Sequence, residues 1–280
     1  MKNFTITVIL LATLAAASFA QDQQGSQEPK PLGISVKLDY VSTYLWRGTY
    51  YFGGDGAFLP SITYDILDTG AIISFAGEFA ESYFFEGNSD DQNAVAFANQ
   101  GLDFGLDYSY TFDESFTLGA SFWYCWYFNS GTSWATNEQD LSFLSAKGMV
   151  KIDMLPLEPT ISLYYDYYPV IDRGGDFYIQ LSLGHNFILT DEVSLGVSVS
   201  TGYFYMNTAE STTYNVDGTV TRTPLKKGFS DITTVVTMIY KKGYMALNGG
   251  FGYVIVPSES WYKGSDIHRF YATFGASANF

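Results

Sequence analysis

The sequence predicts an all-β fold: a transmembrane, antiparallel, up-and-down β-barrel of about twelve strands, an even number as closed bacterial barrels have. Three observations predict it. Apolar and polar residues alternate with period two along most of the chain. The connections between alternating segments are short at every second junction and mostly longer at the others. Aromatic residues, 18% of the chain, gather at the two ends of the segments, as amphipathic rings do at membrane–water boundaries.

The first element is not part of the barrel. Lys2, an apolar run from Phe4 to Ala17 and the small-residue site Ser18-Phe19-Ala20 have the layout of a secretory signal peptide over residues 1–20. Residues 21–32 are polar and contain Pro29 and Pro31, which reads as a flexible periplasmic tail. The barrel is then expected to occupy residues 33–280.

Its first strand, 34–47, puts Ile34, Val36, Leu38, Tyr40, Tyr44 and Trp46 on one face. Ser35, Lys37, Asp39, Thr43 and Arg47 fall on the other. The second, 57–67, sets Phe58, Ile62, Tyr64 and Ile66 against Ser61, Thr63 and Asp65. A third runs over 70–83. The fourth, 101–112, alternates most clearly: Leu102, Phe104, Leu106, Tyr108, Tyr110 and Phe112 against Asp103, Gly105, Asp107, Ser109 and Thr111. The pattern continues over 116–128, 141–154, 158–168, 175–187, 193–206, 229–240, 244–256 and 266–280.

Short connections fall at 68–69, 113–115, 155–157, 188–192 and 241–243. Longer ones fall at 48–56, 84–100, 129–140, 169–174, 207–228 and 257–265. Outer-membrane barrels have short periplasmic turns and longer external loops, so this parity puts both termini in the periplasm. The external aromatic girdle is then Tyr44, Trp46, Phe79, Tyr83, Trp126, Phe128, Tyr165, Tyr167, Tyr203, Tyr205, Phe251 and Tyr253. Tyr110, Phe112, Phe116, Phe187, Tyr240 and Phe280 form the periplasmic one.

Composition agrees. Charged residues are 15% of the chain, against about 25% in soluble domains. The formal charge is −15, and loss of Lys2 with the leader makes the mature chain more acidic still. No basic footprint for nucleic acid exists. The lone Cys125 cannot form an internal disulfide and reads as a small buried residue. The chain ends Thr273-Phe274-Gly275-Ala276-Ser277-Ala278-Asn279-Phe280, which resembles the C-terminal signal of outer-membrane barrels through Gly275, Ala278 and Phe280. That resemblance implies the barrel-assembly machinery as a partner, beside outer-membrane lipid.

The segment Val41-Ser42-Thr43-Tyr44-Leu45-Trp46-Arg47-Gly48, followed by Pro60-Ser61-Ile62-Thr63-Tyr64, resembles the first hairpin of the TorF-type porin family of outer-membrane barrels. The resemblance implies a channel and supports the fold and location. It brings no motif-bound activity.

By the alternation, the inward face holds Lys37, Asp39, Arg47, Asp65, Glu78, Asp103, Asp107, Lys147, Lys151, Asp153, Asp166, Asp176 and Asp231. Acids outnumber bases, so a lumen lined by this set would concentrate cations. Eight-stranded barrels are filled by side chains and sixteen-stranded ones hold a channel, so about twelve strands leave a narrow pore or a partly plugged one. Arg47 at the outer end reads as half of an interior ion pair. Trp123, Tyr127, Tyr164, Tyr168, Tyr178 and Phe204 also face inward, as packing that narrows the barrel or as stacking surfaces for flat solutes. Glu86, Asp90 and Asp91 in the 84–100 loop lack metal-ligand spacing and read as a solvated acidic loop.

Three functional readings follow. The first is a channel for passive diffusion of small solutes or cations. The second is a closed structural or surface-interaction barrel working through its external loops. The third is a lipid-active enzyme, since outward Ser42 and His268 would lie on neighbouring strands after closure. A triad needs an orienting third group, and none is evident; there is no G-x-S-x-G element, metal-ligand cluster, P-loop or dinucleotide fingerprint. No catalytic residue, metal or cofactor is therefore expected.

Overall fold

The structure, a computed structural model, describes residues 32–46, 49–50, 56–67, 69–81, 100–128, 142–168, 173–205, 211–214, 220–223, 227–256 and 267–280. Its strands are β1 (Ile34–Val41), β2 (Leu45–Trp46), β3 (Thr49–Tyr50), β4 (Ala57–Ile66), β5 (Ala71–Ala80), β6 (Gln100–Phe112), β7 (Phe116–Phe128) and β8 (Phe143–Ile152). They continue as β9 (Thr160–Tyr168), β10 (Arg173–Ile188), β11 (Val193–Tyr205), β12 (Ser211–Tyr214), β13 (Val220–Thr223), β14 (Gly228–Lys242), β15 (Met245–Val256) and β16 (Ile267–Asn279). Twelve of them close a barrel in the order β1-β16-β15-β14-β11-β10-β9-β8-β7-β6-β5-β4. Every neighbouring pair is antiparallel, β1 with β16 included. The remaining strands form two small hairpins, β2 with β3 and β12 with β13.

Strand β7 spans the residues that the alternation predicts, and the other wall strands differ at their ends. The main departure is β1, which stops at Val41 instead of running to 47. Leu45 and Trp46 pair with Tyr50 and Thr49 in a separate hairpin. The cause is local. Ser42 still donates its amide to the Ala272 carbonyl (2.9 Å), but the return bond from the Ala272 amide goes to the Ser42 hydroxyl (2.9 Å). The side chain has taken the place of the ladder carbonyl, and the chain leaves the sheet.

The tight connections, such as 113–115, 189–192 and 243–244, lie at the rim that holds Ile34 and Phe280, here the near rim. The longer connections join strand ends of the far rim, although the four residues between β9 and β10 there are fewer than the seven between β8 and β9 at the near rim. The ends of the chain complete the near rim: the Phe280 amide donates to the Ile34 carbonyl (2.8 Å) and the Ile34 amide to the Phe280 carbonyl (3.3 Å).

Residues paired across strands share a face, so the register sorts the whole wall. Outward lie Ile62, Ile73, Phe104, Leu106, Leu163 and Phe251, among many other exposed apolar side chains; Phe251 is 70% exposed. Outward rings meet across strands, Phe75 with Phe104 at 5.1 Å and Tyr165 with Phe177 at 5.0 Å between centroids. Among the buried residues inside are many polar ones: Ser74, Asp103, Ser162, Asp166, Asp176, Ser230 and Asp231. The sorting is that of a soluble protein turned inside out.

Two details set the shape of the inner wall. Trp123 lies flat across Gly105, its direct partner on β6, and Tyr271 lies across Gly252 on β15. A Cβ on Gly252 would stand 2.0 Å from the Tyr271 ring, so only glycine permits that approach. On β14 an extra residue between the Tyr203 and Thr201 pairings forms a bulge, and Ser230 and Asp231 are both buried there.

The turn between β6 and β7 carries strain. The Ser115 amide closes onto the Phe112 carbonyl at 2.8 Å, and the two central residues have positive φ, 44° at Asp113 and 58° at Glu114. Asp tolerates this region; Glu has no local hydrogen bond to offset the Cβ clash. Glu114→Gly is expected to stabilise the barrel by about 0.5–1 kcal/mol, read as a rise in the urea midpoint of protein refolded in lipid vesicles.

Candidate functional site: the barrel interior

One cavity of about 630 Å³ occupies the interior. β1 supplies Lys37, Asp39 and Val41, and the chain just beyond it supplies Thr43, Tyr44 and Leu45. β9 supplies Tyr164, and β10 supplies Tyr178 and Gln180. Strand β9 is six places from β1 in either direction around the ring. A cavity touching both therefore reaches from one side of the barrel to the opposite one. Among the described residues, no side chain of β5 to β8 lines it, and β4 adds only Leu59.

The reason is that the β5–β8 side is filled. Trp123 lies over Gly105 and donates its indole N–H to Asp107 Oδ1 (3.2 Å), while Ser74 donates to Asp107 Oδ2 (3.5 Å). Cys125 sits opposite Asp103 in the ladder, and both are buried. The packing extends to the far ends of β9 and β10, where Asp166 and Asp176 are direct cross-strand partners at 0% and 1% exposure and Ser145 of β8 donates to Asp166 Oδ1 at 2.7 Å.

The two acids on the open side differ. Asp39 holds Lys37 at 2.5 Å and accepts from Asn248 Nδ2 at 3.3 Å, so a cation of the chain already answers its charge. Asp231 is held by hydroxyls: Ser230, Thr233 (2.8 Å) and Tyr178 (3.4 Å). Hydroxyls fix a carboxylate but leave its negative charge in place. Across the cavity, Lys147 stands over the Tyr164 ring at 5.4 Å, a cation on an aromatic face.

A second cavity of about 330 Å³ lies toward the near rim, lined by Lys151, Glu158, Thr160, Ser182, Asn186 and Ser198. It shares Val235 and Thr237 with the first. Lys151 bridges Glu158 (2.5 Å) and Asp153 (2.9 Å), and Thr117 donates to Asp153 (2.6 Å).

The positions expected from the sequence are distributed as follows. Lys37, Asp39 and Asp231 line the main cavity, and Lys151 the second. Glu78, Asp103, Asp107, Lys147, Asp166 and Asp176 face inward by register, away from the open side or beneath its surface. Asp65 faces inward near the near rim. Asp153 is a correction: β8 ends at Ile152, so Asp153 belongs to the turn. Arg47, Tyr83 and the 84–99 stretch with its acids lie outside the described residues. Tyr127, Phe128 and Tyr168 lie on their expected strands, with side chains outside the described set.

Two girdle assignments also change. Tyr44 is turned inward and donates its hydroxyl to Glu78, because β1 has ended before it. Trp46 lies in the β2–β3 hairpin and not in the wall. Phe79, Trp126, Tyr165, Tyr167, Tyr203, Tyr205, Phe251 and Tyr253 take the outward phase, as do the near-rim Tyr110, Phe112, Phe116, Phe187 and Tyr240. Gly275 faces inward where a Cβ would strike Asp39, Ala278 faces outward opposite Val36, and Phe280 completes the near rim.

Ser42 and His268 are not brought together. The Ser42 hydroxyl accepts from the Ala272 amide, and His268 Nδ1 bonds the Tyr253 hydroxyl at 2.9 Å. Four residues along β16 separate the two, roughly 13 Å at strand rise. Sequence reasoning missed Arg269, Asn248 and Gln180, all inward by register. The alternation signal at Arg269 was present, since His268 beside it is on the outward phase.

No family model matches the chain, and no curated protein matches it. Solved barrels are similar in outline. The KdgM porin in complex with disordered oligogalacturonate is 12% identical over 88% of this chain and 99% of its own, with a TM-score of 0.49. The NanC porin is 9% identical over 88% and 100%, at 0.49. The COG4313 outer membrane channel from Pseudomonas putida F1 is 13% identical over 93% and 100%, at 0.46. LpxR from Salmonella typhimurium is 13% identical over 88% and 100%, at 0.47. The barrel of this chain stands on its own strand pairing.

The near-rim network has a pH signature. The Thr117 hydroxyl, then Lys151, holds the Asp153 carboxyl below its ordinary value. A depressed carboxylate contributes stability above its unfolded pKa of about 3.9, and loses it as pH falls through the lower folded value. Asp153→Asn is expected to lower the melting temperature slightly at neutral pH and to match the parent at the acid end. A pH series of thermal melts in detergent checks this; a difference that persists undiminished below about pH 3 would contradict it.

Proposed function

We propose that the chain is a channel of the bacterial outer membrane, passing small solutes by diffusion and favouring cations. The cavity that reaches across the lumen from β1 to β9, with Asp231 facing it, carries the reading. A carboxylate balanced only by hydroxyls raises the local concentration of cations in a narrow aqueous space.

The membrane location rests on the outward face. An exposed apolar belt around a closed wall is a surface for hydrocarbon, and closure leaves no strand edge to satisfy there. The near rim with its tight turns is then periplasmic and the far rim external. Residues 1–20 direct export, and the C-terminal strand through Gly275, Ala278 and Phe280 engages the barrel-assembly machinery. The signature stretch around Tyr44 and Trp46 fits the TorF-type porin family. Passive diffusion requires no cofactor, and the separation of Ser42 from His268 leaves the lipid-active reading without its pair.

Single-channel recording of the refolded mature protein in a planar bilayer, under a potassium chloride gradient, tests this. Discrete steps with a cation-favouring reversal potential are expected. Asp231→Asn moves that potential toward zero by more than Asp39→Asn, whose charge is already answered by Lys37. Asp103→Asn, on the filled side, leaves it near the parent value. A folded but silent barrel overturns the proposal and moves the working surface to the external loops.

A further inference from the structure

The inward turn after β1 brings Thr43, Tyr44 and Leu45 into the far mouth of the barrel. Ser42 ends the ladder by accepting the Ala272 amide on its own hydroxyl. Thr43 is then buried at 7% exposure. Tyr44 reaches past β4, and its hydroxyl bonds Glu78 on β5. Beneath this stretch, Ala57 and Ala80 are fully buried, with Val41, Tyr44 and Leu59 packed against them. The two alanines are cross-strand partners, and their small side chains leave the room the strap occupies. Thr43, Tyr44 and Leu45 are at the same time cavity lining, on the side facing Tyr164 and Tyr178 of β9 and β10.

We infer that Ser42–Leu45 is the size-selecting constriction of the far mouth, and that Tyr44 is the residue that holds it. The strap narrows the passage from the β1–β5 side, while the opposite wall is a strand surface with its tyrosines. Beside the Ser42–Ala272 hydrogen bond, Tyr44 fixes it with attachments of two kinds. One is polar, the Tyr44–Glu78 hydrogen bond. The other is apolar, the Tyr44 ring on Ala57 and Ala80. Neither depends on charge selection by Asp231, so the strap should govern the size of the solute admitted and leave cation preference alone. This inference rests on the channel reading, and the experiment separates the two.

The test measures unit conductance and polymer exclusion, using neutral polyethylene glycols of graded radius, for the refolded mature protein and its variants. Tyr44→Ala removes both attachments. Its unit conductance should rise and its exclusion limit should shift to larger polymers, with the reversal potential unchanged. Tyr44→Phe keeps the ring and loses the hydrogen bond, so its shift goes the same way and is smaller. Glu78→Gln keeps an acceptor oxygen and should match the parent in exclusion limit. Heat-modifiable mobility on gels reports that each barrel is folded; if Tyr44→Ala does not fold, Tyr44→Phe carries the test. A conducting parent with unchanged exclusion in folded Tyr44 variants overturns the strap and leaves the channel reading standing. A silent parent overturns the channel reading, and a conducting Tyr44→Ala beside it overturns the size-selecting role as well, since the strap then closes the barrel outright. Folded and silent parent and variants overturn both.

Discussion

The structure depends on one constraint, that no strand of the wall is left with an open edge. Each unpaired backbone amide or carbonyl facing hydrocarbon would cost several kcal/mol, so the sheet has to close. The seam between β1 and β16 does this, from Ser35 opposite Asn279 to Val41 opposite Thr273. Its residues come from the two ends of the barrel-forming chain. Closure also fixes the faces: with the register set, a one-residue slip anywhere would turn acids outward and rings inward. The outward apolar belt and the inward polar lining are two results of the same pairing.

Within that wall the interior is unequal. The β5–β8 side is packed by Trp123 and Met149 and holds several carboxylates among hydroxyls, a thiol and an indole. The β9–β1 side is open, and among the described residues Asp231 is the charge that faces its cavity with hydroxyl partners. A count of inward charges averages over both sides. In the proposed channel, the charges a solute meets are those on the open side.

This difference explains what was legible in the sequence. Period-two alternation reports the face of a residue, and it groups Asp39, Asp103, Asp166 and Asp231 on one face, as the register does. It contains no depth and no neighbour, so it cannot separate Asp231 at the cavity from Asp166 sealed in the wall. Strand ends were legible where a turn sequence forces them, as between Phe112 and Phe116. They were not legible at β1, where the alternation continues past Val41 while the Ser42 hydroxyl captures a ladder bond. Tyr44 and Trp46 keep the outward phase in the sequence but have left the strand that gives phase a meaning. Asp153 went astray in the same way, one residue past the end of β8.

The rings lying on glycines give the passage a property separate from its lining. Tyr271 is part of the cavity surface, yet Gly252 behind it decides how flat that ring can lie. A methyl group at such a position would tip the ring off the wall and into the lumen, while every solute-facing residue stayed the same. The bore can therefore be adjusted from positions that no solute touches. Related barrels could differ in calibre while presenting the same chemistry, much as a pipe is narrowed by thickening its lining rather than by changing what the lining is made of.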